Sequence, residues 1–283
     1  MRLRSLLFVP GDRPERFAKA AASGADAIIL DLEDSVALAN KEAARSHVAD
    51  YLAGARAVFT LVRVNPLDGH MTAADVAAIV DARPDAIMLP KAEGAPSIAQ
   101  LDTILRSEGS DAASLPAILP IATETPTAVF TLGSYREAKG RLVGLTWGAE
   151  DLPAAIGAAT SREDDGNYTD PYRVVRALTL FAAHAAGVAA IDTVFPAIKD
   201  EAGLATYAAR ARRDGFTGMM AIHPSQVAPI NAAFTPSVEE VHRAQAIVDA
   251  FAASPGAGVL QVDGKMVDAP HLKQALHILS LAD

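Results

Sequence analysis

Ala27-Ile28-Ile29-Leu30-Asp31-Leu32-Glu33-Asp34-Ser35 is an unbroken apolar run that ends in acid. A strand with one wet face alternates apolar and polar residues. A continuous run fits a strand covered on both faces, as in a parallel sheet. Seven other segments read the same way: 5–9, 59–64, 86–90, 117–121, 142–146, 191–195 and 218–222. With 27–32 they make eight strands. Helical patterns lie between them at 14–22, 41–52, 72–81, 97–106, 172–186 and 203–213, often with Asp, Ser or Thr near the start and Gly near the end. Eight βα units in 283 residues predict an α/β fold of the (β/α)8 TIM-barrel type. A doubly wound sheet is the runner-up, but no Gly-x-Gly-x-x-Gly follows the first strand.

The barrel is expected over 1–235. Residues 236–283 are expected to be a C-terminal helix and lid segment that packs on a neighbouring subunit or covers the active site. Helices are predicted near 224–233 and 238–253. Ser254-Pro255-Gly256-Ala257-Gly258 breaks the chain, 259–262 is strand-like, Asp263-Gly264 is a turn, and a last helix runs over 270–281.

Composition narrows the function. With 51% hydrophobic and 21% charged residues, a large core can be buried. The net charge is 25 − 34 = −9, which repels phosphate backbones and argues against nucleic acid. The absence of cysteine excludes disulfides, thiolate metal sites and a cysteine nucleophile. The N-terminal apolar run covers only 6–9 before Pro10-Gly11-Asp12, too short for a secretory segment, and no run is long enough to span a membrane. A soluble cytoplasmic protein is expected.

Barrel chemistry sits where strands end, and here those ends are polar: Asp12-Arg13, Asp31 to Asp34, Arg63, Lys91, Glu124 and Glu150-Asp151, with His223 after the eighth strand. Asp12, Asp34, Thr125 and Ser225 can also be read as helix caps, and Glu33 with Arg63 as a structural ion pair. Charges gathered in one cleft nevertheless favour a small-molecule site. Carboxylates without cysteine suit Mg2+ or Mn2+. Glu124 and Asp151 are the candidate ligands, with Glu150 as the alternative to Asp151. Arg63 can fork onto a carboxylate. Gly148-Ala149 permits close backbone approach and could offer amides to a second carboxylate. Such a site suits carbon–carbon bond making or breaking beside a carbonyl.

Eight motifs in order carry a family resemblance: Arg4-Ser5-Leu6-Leu7-Phe8-Val9-Pro10-Gly11, Asp31-Leu32-Glu33-Asp34-Ser35-Val36, Arg63-Val64-Asn65, Leu89-Pro90-Lys91, Glu124-Thr125-Pro126, Gly148-Ala149-Glu150-Asp151, Ala190-Ile191-Asp192-Thr193 and Ala221-Ile222-His223-Pro224. Together they resemble the citrate lyase β-subunit-like group of the HpcH/HpaI aldolase family, which includes citryl-CoA, malyl-CoA and citramalyl-CoA lyases. The resemblance implies a (β/α)8 barrel in a homotrimer or hexamer, Mg2+ on Glu124 and Asp151, and a coenzyme A thioester substrate. It implies that Arg63 holds the substrate carboxylate and carbonyl oxygen, and that the 148–151 backbone takes a second carboxylate. It also implies that Glu33 and Asp34 form an acidic pair near the metal-bound water. The resemblance further implies that the CoA portion lies near Pro10, Arg13 and His223. Asp263-Gly264-Lys265-Met266-Val267-Asp268-Ala269-Pro270 resembles the lid of malyl-CoA lyase-type members, where Asp268 would be the acid/base at the acetyl-CoA methyl carbon. Asp268 can also be read as a cap for the helix beginning near Pro270.

The implied activity is Mg2+-dependent cleavage of a 3-hydroxy-3-carboxyacyl-CoA to acetyl-CoA and a 2-oxo acid, or the reverse condensation. The alternatives are a CoA-independent pyruvate aldolase, a malate synthase-like condensation followed by thioester hydrolysis, and a non-catalytic β-subunit-like partner protein.

Overall fold

The computed structural model describes residues 2–109 and 115–282. The strands are β1 (Ser5–Pro10), β2 (Ala27–Asp31), β3 (Phe59–Arg63), β4 (Ala86–Leu89), β5 (Ala117–Pro120), β6 (Gly144–Thr146), β7 (Ala189–Asp192) and β8 (Gly218–Ala221). The helices between and after them are α1 (Phe17–Ala21), α2 (Lys41–Ala53), α3 (Met71–Ile79), α4 (Ala95–Glu108), α5 (Pro126–Thr131), α6 (Asp151–Ile156), α7 (Asp170–Ala186), α8 (Glu201–Asp214) and α9 (Val227–Ala233). The eight strands pair in parallel in the order β5-β4-β3-β2-β1-β8-β7-β6. Parallel bridges Ile118 to Leu142 and Ile121 to Thr146 join the two edges, and the Ala122 N–H donates to the Thr146 carbonyl at 2.8 Å. The expected TIM barrel is therefore the observed fold.

Period-two alternation decides what fills it. Leu6 of β1, Ala27 and Ile29 of β2, Leu61 of β3, Ala86 and Met88 of β4, Leu119 of β5, Ile191 of β7 and Met220 of β8 share one buried cluster. Continued by one step, the same alternation carries Asp31 and Arg63 to the mouth. They are register partners on adjacent strands. The sequence pattern thus stacks apolar layers below and a charged layer above.

Two sequence-based boundaries move. The seventh strand is Ala189–Asp192 rather than 191–195, so Asp192 closes it instead of opening it. Gly187 takes the left-handed conformation at the end of α7 (φ 70°), and the Val188 N–H closes back onto the Ala183 carbonyl at 3.0 Å. The chain is then extended at once, two residues earlier than read. The first helix, read as 14–22, splits into a 3-10 turn at Pro14–Arg16 and the short α1.

The chain clusters into two compact units, Met1–Asn231 and Ala232–Asp283. In the second, α10 (Val238–Ala253) starts at a Ser237–Glu240 capping box. A hairpin of β9 (Val259–Val262) and β10 (Lys265–Asp268) follows, and then α11 (Ala269–Ser280). The Asp263-Gly264 turn has φ of 48° and 74°, the pair of left-handed residues that a two-residue hairpin needs. The second strand of this hairpin was not read from sequence; four residues offer too little pattern.

Close backbone packing fixes one barrel glycine. A Cβ on Gly218 would stand 1.8 Å from the Leu3 carbonyl oxygen and 3.0 Å from that of Arg4. Gly218→Ala is expected to destabilise the barrel by about 3 kcal/mol. Urea unfolding should read this as a lower midpoint with an unchanged slope, and an unshifted midpoint would contradict the packing.

Candidate active site

A cleft of about 330 Å3 opens among the strand ends of the barrel. Its charged lining comes from four strand ends: Asp31 on β2 with Asp34 after it, Arg63 on β3, Glu124 after β5, and Glu150 and Asp151 after β6. Pro10, Gly148 and Ala149 line it too, with Phe8, Ile121, Met220 and Ile222 as apolar wall. Of the charges read at strand ends, these six meet in the cleft. Arg13 and His223 do not line this cleft. Arg13 precedes the 3-10 turn at Pro14–Arg16, and the exposed His223 ring contacts Ser225. Asp268 belongs to the second unit, where it is the N-cap residue of α11, paired with His271.

The centre is an ion-pair chain. Arg63 Nε and Nη2 donate to Asp31 Oδ1 and Oδ2 at 2.7 and 2.6 Å. Arg63 Nη1 stands 2.8 Å from Glu33 Oε2. Lys91 Nζ lies 3.1 Å from Glu33 Oε1 and 3.2 Å from Asp151 Oδ1. The Lys91 N–H donates to Glu124 Oε2 at 2.6 Å. Lys91 has a φ of 50°, a left-handed conformation uncommon for a side-chain-bearing residue. This turn points its amide and its ammonium at different carboxylates. The ring of Phe8 lies under the Arg63 guanidinium, 4.9 Å away. The ion pair anticipated for Glu33 and Arg63 is present, and the fork of Arg63 already grips Asp31. A ligand carboxylate meets only the N–H groups left over.

Burial sets the electrostatics. Glu124 is 4% exposed. Burial pushes its pKa up to about 8, with Asp151 and Glu33 adding to the rise and the Lys91 amide opposing it. Burial also raises Glu33, against the pull of Arg63 and Lys91. For Asp31, burial is outweighed by Arg63, and its pKa falls. Burial works against the Lys91 charge, but Glu33, Asp151 and Glu124 hold its pKa above the ordinary lysine value.

Glu150 and Asp151 are not on the extended segment expected from sequence: Glu150 has helical backbone angles (φ −97°, ψ −37°) and Asp151 opens α6. Asp151 acts on Lys91 and Glu124, while Glu150 acts on Tyr168. Gly148 is read from sequence as a point of close approach. Its neighbour is the Glu124 side chain: a Cβ there would stand 2.6 Å from Glu124 Cγ. The Gly148 N–H donates to Thr123 Oγ1 at 3.2 Å. Thr125 caps α5, accepting from the Ala128 N–H at 3.1 Å, as one of its readings had it.

The donor set suits a small hard cation. No group of three or more His, Cys, Asp or Glu fit to hold a metal occurs among the described residues. Glu124 and Asp151 are a carboxylate pair at one cleft wall. That matches Mg2+, which takes one or two carboxylates and fills its octahedron with water and substrate oxygens.

Two supports escaped the sequence reading. Lys41, at the start of α2, is buried and donates to the Leu32 and Glu33 carbonyls and Asn65 Oδ1 at 2.6, 2.7 and 2.9 Å, clamping the acidic loop. Asp192 accepts from the Trp147 indole at 2.6 Å, which fixes the residue before Gly148. Nothing in a helical lysine announces the first. The signal for Asp192 was present, an acid inside an apolar strand, but the misplaced strand boundary concealed it.

Residues 4–224 match the family model described as HpcH/HpaI aldolase/citrate lyase. The chain is 40% identical over 279 residues to a citrate lyase subunit beta-like protein of Mycobacterium tuberculosis, covering 98% of this chain and 94% of that protein. It is 36% identical over 292 residues to a (3S)-malyl-CoA thioesterase of Cereibacter sphaeroides, covering 99% and 94%. Among solved structures, CitE of M. tuberculosis in complex with magnesium, acetoacetate and coenzyme A superposes with a TM-score of 0.85 at 37% identity, covering 99% and 97%. With that family model over most of its length, and with these relatives along nearly all of it, the chain belongs to the HpcH/HpaI aldolase/citrate lyase family.

Proposed function

We propose that this protein cleaves a 3-hydroxy-3-carboxyacyl-CoA thioester to acetyl-CoA and a 2-oxo acid, and catalyses the reverse condensation. The observation that carries the reading is the meeting of Glu124, Asp151 and the Arg63 ion-pair chain at one cleft. The magnesium and coenzyme A bound by the M. tuberculosis relative support the substrate class. Glu124 and Asp151 would hold Mg2+, which when bound draws electrons from the oxygen on which charge develops.

The chain's own residues do the rest. Arg63, fixed by Asp31, presents its remaining N–H groups to the substrate carboxylate and the carbonyl oxygen. The Ala149 segment bounds the second carboxylate. Asp34, the member of the acidic pair that lines the cleft, takes the hydroxyl proton. The carbon–carbon bond then breaks, its electrons pass to the acetyl-CoA enolate, and the former hydroxyl carbon becomes the ketone. Asp268 returns a proton to the enolate carbon. In the reverse direction it removes that proton. Pro10 and Ile222 flank the way in for the thioester. The barrel is proposed as the catalytic domain over 1–235, with 236–283 as the lid of a homo-oligomer.

A second reading has its own support, the 36% identity to a (3S)-malyl-CoA thioesterase. Water would then cut the thioester and leave the carbon chain whole.

Products separate the two. Purified protein with Mg2+ and malyl-CoA, citramalyl-CoA or citryl-CoA is expected to release acetyl-CoA and a 2-oxo acid by mass spectrometry, and to stop with chelator. Free CoA with an intact hydroxy acid would mean the thioesterase, and no turnover of any of the three would sink both readings. Glu124 must lose its proton to bind a cation. Its pKa near 8 therefore predicts that Mg2+ affinity by calorimetry falls roughly tenfold per pH unit below that value. A flat affinity from pH 6 to 8 would refute this. Gly148→Ala forces Glu124 aside and is expected to lower kcat on the order of tenfold or more. Its far-UV circular dichroism should match that of the unaltered protein, and full activity would show that Glu124 tolerates displacement.

A further inference from the structure

A second charged hollow lies apart from the cleft, between the loop before α7 and the start of α8. It consists of two adjoining spaces of about 60 and 570 Å3 that share Arg162, Asn167, Tyr207 and Arg210. Arg173 and Arg176 line the smaller one. Four arginines thus converge in a chain whose net charge is −9. The carboxylates that line the hollow are Asp165 and Asp200, and each is engaged locally. Asp165 accepts from the Asn167 backbone and side-chain N–H groups at 2.9 and 2.7 Å, and Asp200 accepts from the Gly203 N–H at 2.9 Å.

The arginines differ in how far they are neutralised. Arg176 is paired, with Asp192 at 2.7 Å and Asp214 at 2.7 Å. Asp214 must also serve Arg210 at 3.8 Å and Arg213 at 3.6 Å, so one carboxylate faces three guanidinium groups. Arg162 meets no carboxylate among the described residues. Its Nη1 donates to the Gly166 carbonyl at 2.9 Å and its Nη2 to the Tyr168 hydroxyl at 2.7 Å. Its guanidinium lies 4.1 Å over the Tyr168 ring. An antiparallel bridge from Arg162 to Tyr168 closes the loop beneath it. Arg162 is therefore held in place before any ligand arrives, which removes the ordering cost of a free surface arginine. An exposed arginine needs no partner in water. A fixed one, facing a second whose carboxylate is shared three ways, forms a receptor for an oxyanion.

We propose that this hollow binds a phosphate ester through Arg162 and Arg210, and that the indole of Trp147 senses its occupancy. The link is short. The Tyr168 ring under Arg162 meets the Trp147 ring edge-on at 5.0 Å. Trp147 and Tyr207 both donate to Asp192, at 2.6 and 3.2 Å, and Asp192 also holds Arg176. Trp147 directly precedes Gly148, so the same contacts reach the Glu124 wall of the cleft.

Trp147 is the chain's one tryptophan, so its fluorescence reads the site directly. The full-length protein is titrated with inorganic phosphate, ATP, coenzyme A and 3′-dephospho-coenzyme A, with ionic strength held constant by chloride. A saturable change with inorganic phosphate or ATP is expected. Arg162→Gln and Arg210→Gln should each raise the half-saturating concentration at least tenfold, with melting temperature unchanged. Saturation by coenzyme A but not by its 3′-dephospho form would identify the 3′-phosphate of a CoA thioester as the natural occupant. Equal saturation by ATP would identify a free nucleotide. A change that follows ionic strength alone, or a saturable change that survives both substitutions, overturns the proposal.

Discussion

The pairing of Asp31 with Arg63 governs the upper end of this barrel. Both side chains point inward from adjacent strands in register, and both are taken out of water by the apolar layers beneath them. Neither charge is stable there without the other: removing one partner of such a pair typically costs about 3–5 kcal/mol, because a lone charge stays buried. The remaining charges hang from this pair in sequence. Arg63 reaches Glu33, Lys91 ties Glu33 to Asp151, and the Lys91 amide reaches Glu124. A cluster rich in carboxylates holds together because two cations are threaded through it.

That arrangement explains why Glu124 behaves unlike its neighbours. Asp31 has a forked arginine, which holds its pKa below the ordinary value against the effect of burial. Glu124 has one backbone N–H, deep burial and other carboxylates close by, and its pKa moves the other way. Two acids at one cleft are tuned apart by their partners, the usual physical basis for giving similar side chains different tasks. Gly148 belongs to the same design, since the bulk of Glu124 fills the space that a side chain there would occupy.

A second buried acid organises the opposite wall. Asp192 gathers the Trp147 indole, the Tyr207 hydroxyl and the Arg176 guanidinium at the end of β7. It fixes the start of the loop that carries Gly148, Glu150 and Asp151. Of the buried carboxylates, Asp31 and Asp192 each set the position of one wall.

The sequence by itself determined the barrel. Strands buried on both faces must be apolar throughout, so eight such runs, each ending in polar residues, could be counted without a structure. It also determined which strand ends carry charge, and that Gly148 marks a close approach. Apart from the Glu33–Arg63 pair, which was one reading of the sequence, the tertiary structure alone decided who pairs with whom. Nothing in Pro90-Lys91 foretells a left-handed turn that aims amide and ammonium at Glu124, Glu33 and Asp151. Nor does a glutamate in a sequence disclose that burial among other acids lifts its pKa to about 8. An unbroken apolar run is a local property, written into each strand. Ion pairing, burial and the pKa that follows depend on residues tens of positions apart, and these meet only when the barrel closes.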